Sequence, residues 1–256
     1  MDSEVYSVIN KSWKSTCKIL FGQEIGELKD FENYLKGAAV GQEVISTFSG
    51  TALWVASEQY SKNSKFFDYT AEHDALDKIS YKPFDINRIK DIDSLVETIK
   101  ERFVYSGNKT LGNSKYIEHS DAVVESTGVL NSSIVEKSKY VAYGYLAREV
   151  ENYFGSMSSG QSSHIIRCFY NNTLKRCFEC CTTIGTSDSY FCYNLLQCTD
   201  CIFSFNLRGK RYRIGNVELE KSQYLKLKSK LLAELLDELE NKKKLDYSII
   251  DLMNNA

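Results

Sequence analysis

Eight cysteines stand out in this chain, and four of them share a spacing that binds metals: Cys177-x2-Cys180 and, seventeen residues on, Cys198-x2-Cys201. Two CxxC pairs at this separation match a four-thiolate zinc site, and less closely an iron–sulfur ligand set. The opposing reading is packing, because cysteine is also a small, soft interior residue. The three histidines, His73, His119 and His164, are too scattered to complete a metal triad. Asp188 and Asp200 are the acids a carbohydrate-cleaving groove would use, yet no base stands beside them in sequence. No Ser/His/Asp set, nucleotide loop or paired-carboxylate motif can be placed.

The elements that would position these side chains announce themselves through a period. Stepping by threes from Ser114 to Leu207 visits 32 positions, of which 20 are Ser, Cys, Thr, Gly or Ala and 10 are aliphatic. None is charged, although residues 114–209 carry 17 charged side chains. Period three is neither the strand's two nor the helix's 3.6. All four CxxC cysteines lie on it, at positions that Ser and Val fill elsewhere. A longer period overlies the triads: a shift of 24 carries Ser114 onto Ser138 and Ser162, and Gly144 onto Cys168 and Cys192. Repeats of this size form stacked arrays. The expected architecture is therefore a mainly β solenoid, right-handed β-helix-like, with about four 24-residue coils. On that register Cys177 and Cys201 are coil-to-coil neighbours. Left-handed hexapeptide helices, the acyltransferase-type alternative, set inward residues two and four apart and match the triads less well.

The same register stacks Tyr145, Phe169 and Tyr193 in one outward column, and Phe154 over Phe178 in another. Apolar ladders of this kind mark an interface or sit beneath another element. These five residues are the candidate partner-binding set, for a protein partner or a second copy of the chain.

Four regions follow. Residues 1–45 read as α/β: a helix from about Ser3, a strand over Thr16 to Phe21, and a short helix from Asp30 to Lys36 closed by Gly37. Residues 46–113 hold a faint first coil and an insertion with Pro83, the only proline, and one capped helix near Ser94–Phe103. Residues 114–216 are the solenoid. Residues 217–256 carry a long helix, Val217 to Lys244, whose stripe of Leu227, Leu231, Leu235 and Leu239 would cover the array.

From Ser162 onward the chain resembles a family of Cys/Ser triad-repeat proteins of bacteria and archaea. Their C-x-x-C and S-x-x-C steps close with N-L-R-x-K-x-Y and an acidic helix. The matching residues are Cys177-Phe-Glu-Cys180, Cys192, Cys198-Thr-Asp-Cys201 and Asn206-Leu207-Arg208-Gly209-Lys210-Arg211-Tyr212. This chain has fewer cysteines than the family pattern, with Ser and Val in its first coils. The resemblance implies a β-helix-like solenoid and carries no activity.

A net charge of −2 from 32 basic and 34 acidic side chains argues against nucleic acid or an anionic membrane surface as partner. No run of 18 apolar residues is present to span a bilayer. The first residues, Met-Asp-Ser-Glu-Val, lack the pattern of an export signal, so reduced thiols in the cytoplasm are expected. The leading functional expectation is a non-catalytic scaffold or interaction subunit of a cytoplasmic assembly. A metalloprotein is the alternative, and a β-helix enzyme acting on carbohydrate or acyl substrates comes third.

Overall fold

The structure is a computed structural model, and it describes residues 3–60, 63–74, 85–100 and 102–254. Pro83 lies outside the described residues. From Thr110 to Ile214 the chain winds as a β-solenoid of about nine turns. One stack of parallel strands holds β5 (Thr110–Leu111), β7 (Asp121–Val124), β9 (Ser133–Glu136), β11 (Tyr145–Arg148), β13 (Met157–Gly160) and β15 (Phe169–Asn172). The facing stack holds β6 (Lys115–Glu118), β8 (Thr127–Leu130), β10 (Lys139–Ala142), β12 (Glu151–Phe154), β14 (Ser163–Ile166) and β16 (Lys175–Cys181). β17 (Tyr190–Tyr193), β18 (Thr199–Ile202) and β19 (Arg211–Ile214) continue from β16, and β20 (Val217–Glu218) closes antiparallel on β19.

The ladder register corrects the coil length. Lys139 pairs with Thr127 and Glu151, and Val141 with Val129 and Tyr153, so each residue meets the one 12 positions away. One coil is 12 residues, and the 24-residue period spans two. The longer period stood out because alternate coils match at some positions, as with Ser138 and Ser162 on either side of Val150.

Backbone conformation accounts for the triads. From Tyr116 to Gly215, nearly every third residue has φ between about +43° and +71°. Two extended residues followed by one left-handed residue make a unit that turns the chain at each step. Four units close a coil. The triad phase of the sequence faces inward: every position on it from Ser120 to Ser204 is buried. Left-handed backbone disfavours L side chains, above all β-branched ones such as Ile134 (φ 57°) and Thr182 (φ 52°), so the hydrogen-bonded ladder has to hold them there.

The interior uses serine at the corners. Ser132 Oγ donates to the Leu130 carbonyl at 2.8 Å and accepts from the Gly144 amide, one coil on, at 2.9 Å. Ser126 and Ser138 repeat the pattern toward Ser138 N and Val150 N. Each hydroxyl satisfies a corner amide that would otherwise be orphaned in a dry core, a loss worth about 1–3 kcal/mol. Between the corners lie Val123, Val129, Val135 and Val141, all fully buried. Tyr153 interrupts this column. It fits because a side chain at Gly144 would come within 2.8 Å of its ring, which glycine avoids.

Helix α1 (Glu4–Phe21) lies along the β6–β16 stack and touches each of its strands. Its buried face of Ile9, Trp13, Cys17 and Leu20 packs on the outward column Leu130, Ala142, Phe154, Ile166 and Phe178. The strand expected over Thr16 to Phe21 is the end of this helix, since Trp13, Cys17 and Leu20 keep helical spacing. A 3-10 turn leads into α2 (Glu32–Leu35), a single turn.

The expected first coil is instead a separate cap. β1 (Gln42–Ile45) pairs antiparallel with β2 (Ala52–Val55), and β3 (Lys65–Asp68) pairs parallel with β4 (Val104–Gly107), outside the solenoid sheet. It is pinned to the first coil by Asp121, fully buried, which accepts from Ala56 N, Lys109 N and Lys109 Nζ at 2.7–2.9 Å. α3 (Ile92–Lys100) matches the capped helix read there.

At the other end, α4 (Lys221–Lys242) begins four residues later than expected because Val217 and Glu218 form β20. Its covering face is Tyr224, Leu235 and Leu239, while Leu227 of the expected stripe is 42% exposed. A last short helix, α5 (Ile249–Asn254), turns back onto β16 and β17.

Candidate functional site

The four cysteines of the CxxC pairs do not converge. Cys177 stacks under Ser189 and Ser189 under Cys201, so two rungs of about 4.8 Å separate Cys177 from Cys201. Sulfurs on one zinc stand at most about 4.6 Å apart, twice the Zn–S bond length. The 24-residue register had made neighbours of residues that are two coils apart. Cys180 instead has Cys168, Cys177 and Cys192 around it, with Cys180 and Cys192 directly paired between rungs. Their thiols are spent on the backbone. Cys180 Sγ donates to the Phe178 and Ser189 carbonyls at 3.6 and 3.4 Å, and Cys192 Sγ to Tyr190 and Cys201 at 3.3 and 3.4 Å. Cys198 plays the serine part, accepting from Lys210 N at 3.5 Å. Burial pushes the Cys168 and Cys180 thiols up and that of Cys201 up to about 12, so these groups stay protonated. Among the described residues, no group of three His, Cys, Asp or Glu is arranged to hold a metal ion.

Four of the five aromatic partner candidates pack within the chain, and Tyr145 is half-buried. Phe154 and Phe178 are fully buried against α1, with Phe154 edge-on to Trp13 and Phe178 edge-on to Phe21. The other column has an added member in each intervening coil and runs Tyr145, Met157, Phe169, Cys181, Tyr193, Phe205. Phe169 is buried beside Ala38 and Ile249, and Tyr193 packs on the same cluster. The five residues therefore belong to two flanks and form no common open surface. Three segments provide the cover, namely α1, the 36–38 turn and α5.

Asp188 and Asp200, which lack a neighbouring base in sequence, meet bases across the coils. Arg176 holds Asp188 with two bonds of 2.5 and 2.7 Å, and Arg211 reaches Asp200 at 2.9 Å. Burial alone would raise Asp188, but the Arg176 bonds overrule it and hold the carboxyl below its usual range. A carboxyl held ionised in this way is a poor proton donor. In the same column, Ser12 donates to Asn152, whose amide stands 3.0 Å from His164 Nε2. His119 is exposed, away from this column.

The flank opposite the helices is open, and it changes character along the axis. Its first coils carry Glu125, Glu136, Lys137, Arg148 and Glu149. From Ser158 to Asn206, the residues on these columns and on the neighbouring column of Leu146 are uncharged. They include Tyr170, Asn172, Ile184, Leu196, Asn194 and Gln197, with Tyr170 58% and Ile184 53% exposed. The amides are tied to one another along the axis, as Asn194 to Asn206 at 2.7 Å. Sequence reasoning missed this face because it followed aromatic positions beside the inward phase. The signal is a gap in charge confined to the positions that recur every 12 residues with Tyr170, Asn172 and Thr173.

No protein-family model, no curated protein and no solved structure matches the chain. No helix among the described residues is long and apolar enough to cross a membrane.

Proposed function

We propose that the chain is a non-catalytic scaffold that binds another protein through the uncharged open flank of its later coils. The observation that carries this reading is the charge gap from Ser158 to Asn206, with Tyr170 and Ile184 half exposed at its centre. Such a face is flat and has fixed spacings. It offers little to a small molecule and much to a second protein surface, where aromatic and aliphatic anchors ringed by amides supply most of the binding energy. Enclosed thiols and paired acids add nothing that a reaction would use.

Benzoylphenylalanine placed at position 170 or 184 in the producing cell tests this reading. Photolysis is expected to give discrete cross-linked species from both sites, identifiable as one partner or a second copy. The same probe at Glu125 or Lys137, on the charged coils of the same flank, is expected to give none. Equal yields from all four positions, or none from any, contradict the proposal.

A further inference from the structure

Helix α5 has six residues, too few to be helical alone. It holds its shape through Ser248 and Asp251, whose side chains cap each other's backbone amides at 3.1 Å. It holds its place through one buried carboxylate. Glu179 Oε2 accepts from the Ile249 amide at 2.9 Å, while Oε1 takes the Tyr34 hydroxyl at 2.8 Å and the Arg167 guanidinium. Among the described side chains of the helix, only Ile249 is buried. Leu252 is half exposed, and a cavity of about 500 Å³ separates the helix from Phe191, Tyr193, Phe203 and Phe205. The contact is thus poorly filled on one side and anchored at one point.

We propose that α5 is a strap that opens while the solenoid stays wound, and that Glu179 is its latch. Regions with few buried apolar contacts open at a fraction of the global unfolding free energy. When α5 swings away, Cys181 and Tyr193 join Phe205 in one uncovered strip, while Phe169 keeps Ala38 against it. The closed strap divides that strip, leaving Phe205 alone exposed. This inference stands whether or not the open flank binds a protein.

Cys181 reports the motion. It sits on an outward phase against Ile249, whereas Cys168, Cys177, Cys180, Cys192 and Cys201 are enclosed by the coils. Native protein treated with N-ethylmaleimide and read by peptide mass spectrometry is expected to label Cys181 at least about tenfold faster than these interior thiols. Glu179→Gln should raise the Cys181 rate by a further factor of ten and leave the interior rates unchanged. Ile249→Ala, which alters only the strap, should do the same and covers the case in which the Glu179 variant fails to fold. Labelling of Cys181 no faster than the interior thiols overturns the proposal, because access then needs global unfolding. Equal acceleration of all thiols by both variants overturns it as well.

Discussion

The first and later coils of the solenoid solve one geometric problem with different chemistry. In both, a corner residue faces a dry interior and has backbone groups to satisfy. Ser126, Ser132 and Ser138 do this with short bonds of 2.7–3.1 Å, donating to one carbonyl and accepting an amide one coil away. Cys168, Cys180 and Cys192 donate over 3.3–3.6 Å, each to two carbonyls, and fill more volume. Serine coils are held by hydrogen bonds around valine, and cysteine coils by packing with weak thiol donors. The open flank differs too: it is charged over the serine coils and uncharged over most of the cysteine coils.

The largest effect should come from charge placed in the interior. Val129→Asp buries an unpaired carboxylate and should cost several kcal/mol, whereas Val124→Asp, on an outward phase, should stay within about 1 kcal/mol. Guanidinium denaturation of both variants measures this. Equal losses would show that the interior does not exclude charge as the triad phase requires.

Removing a corner group should come next. Ser132→Ala strands the Gly144 amide and should cost about 1–3 kcal/mol. Cys192→Ser should change stability by less than about 1 kcal/mol, since a hydroxyl replaces a weak donor in slightly too large a space. Reversal of this order in urea midpoints would make the two halves alike.

Metal removal should do less. With the CxxC sulfurs donating to carbonyls and two rungs between Cys177 and Cys201, overnight chelation should leave the melting temperature unchanged within about 1 °C. A larger fall, restored by zinc, would show that the cysteine coils rearrange around an ion.

The smallest effect concerns pH. Burial holds the His164 imidazole below its usual value, against the pull of Glu151 and with help from Arg176. Protonation therefore favours the unfolded chain. The stability lent by neutral His164 is complete above about pH 6.5 and declines as the pH falls toward the lowered folded value. His164→Gln should flatten that part of the stability–pH curve. An unchanged slope assigns it to other groups.

The inward phase was legible because small and aliphatic residues at every third position leave no room for charge. The coil length was not, since Ser138, Val150 and Ser162 make alternate coils look more alike than adjacent ones. A better signal lay in the glycines. Gly128, Gly155, Gly185, Gly209 and Gly215 all fall on the left-handed phase, and Asn131, Asn152, Asn194 and Asn206 join them. These residue types tolerate positive φ, so their common phase marks the turning residue of each triad. The strap was illegible for a different reason. Glu179 follows an outward phenylalanine and reads as an ordinary surface acid, and only the fold brings Arg167, Tyr34 and Ile249 to it.

Helix α1 sets a limit on how the chain can grow. Its turns repeat every 5.4 Å or so, the rungs beneath it about every 4.8 Å. Two rulers with such close divisions run nearly in step, then drift. Over the six rungs from β6 to β16 the accumulated slip is about 3 Å, more than half a turn of helix. Beyond that distance the apolar residues of one continuous helix would meet gaps instead of side chains. A longer solenoid would need a second helix with its own starting point, and here α4 takes over where α1 ends. Deleting one 12-residue coil would leave the last turn of α1, with Leu20 and Phe21, displaced by a full division from the rungs it now meets.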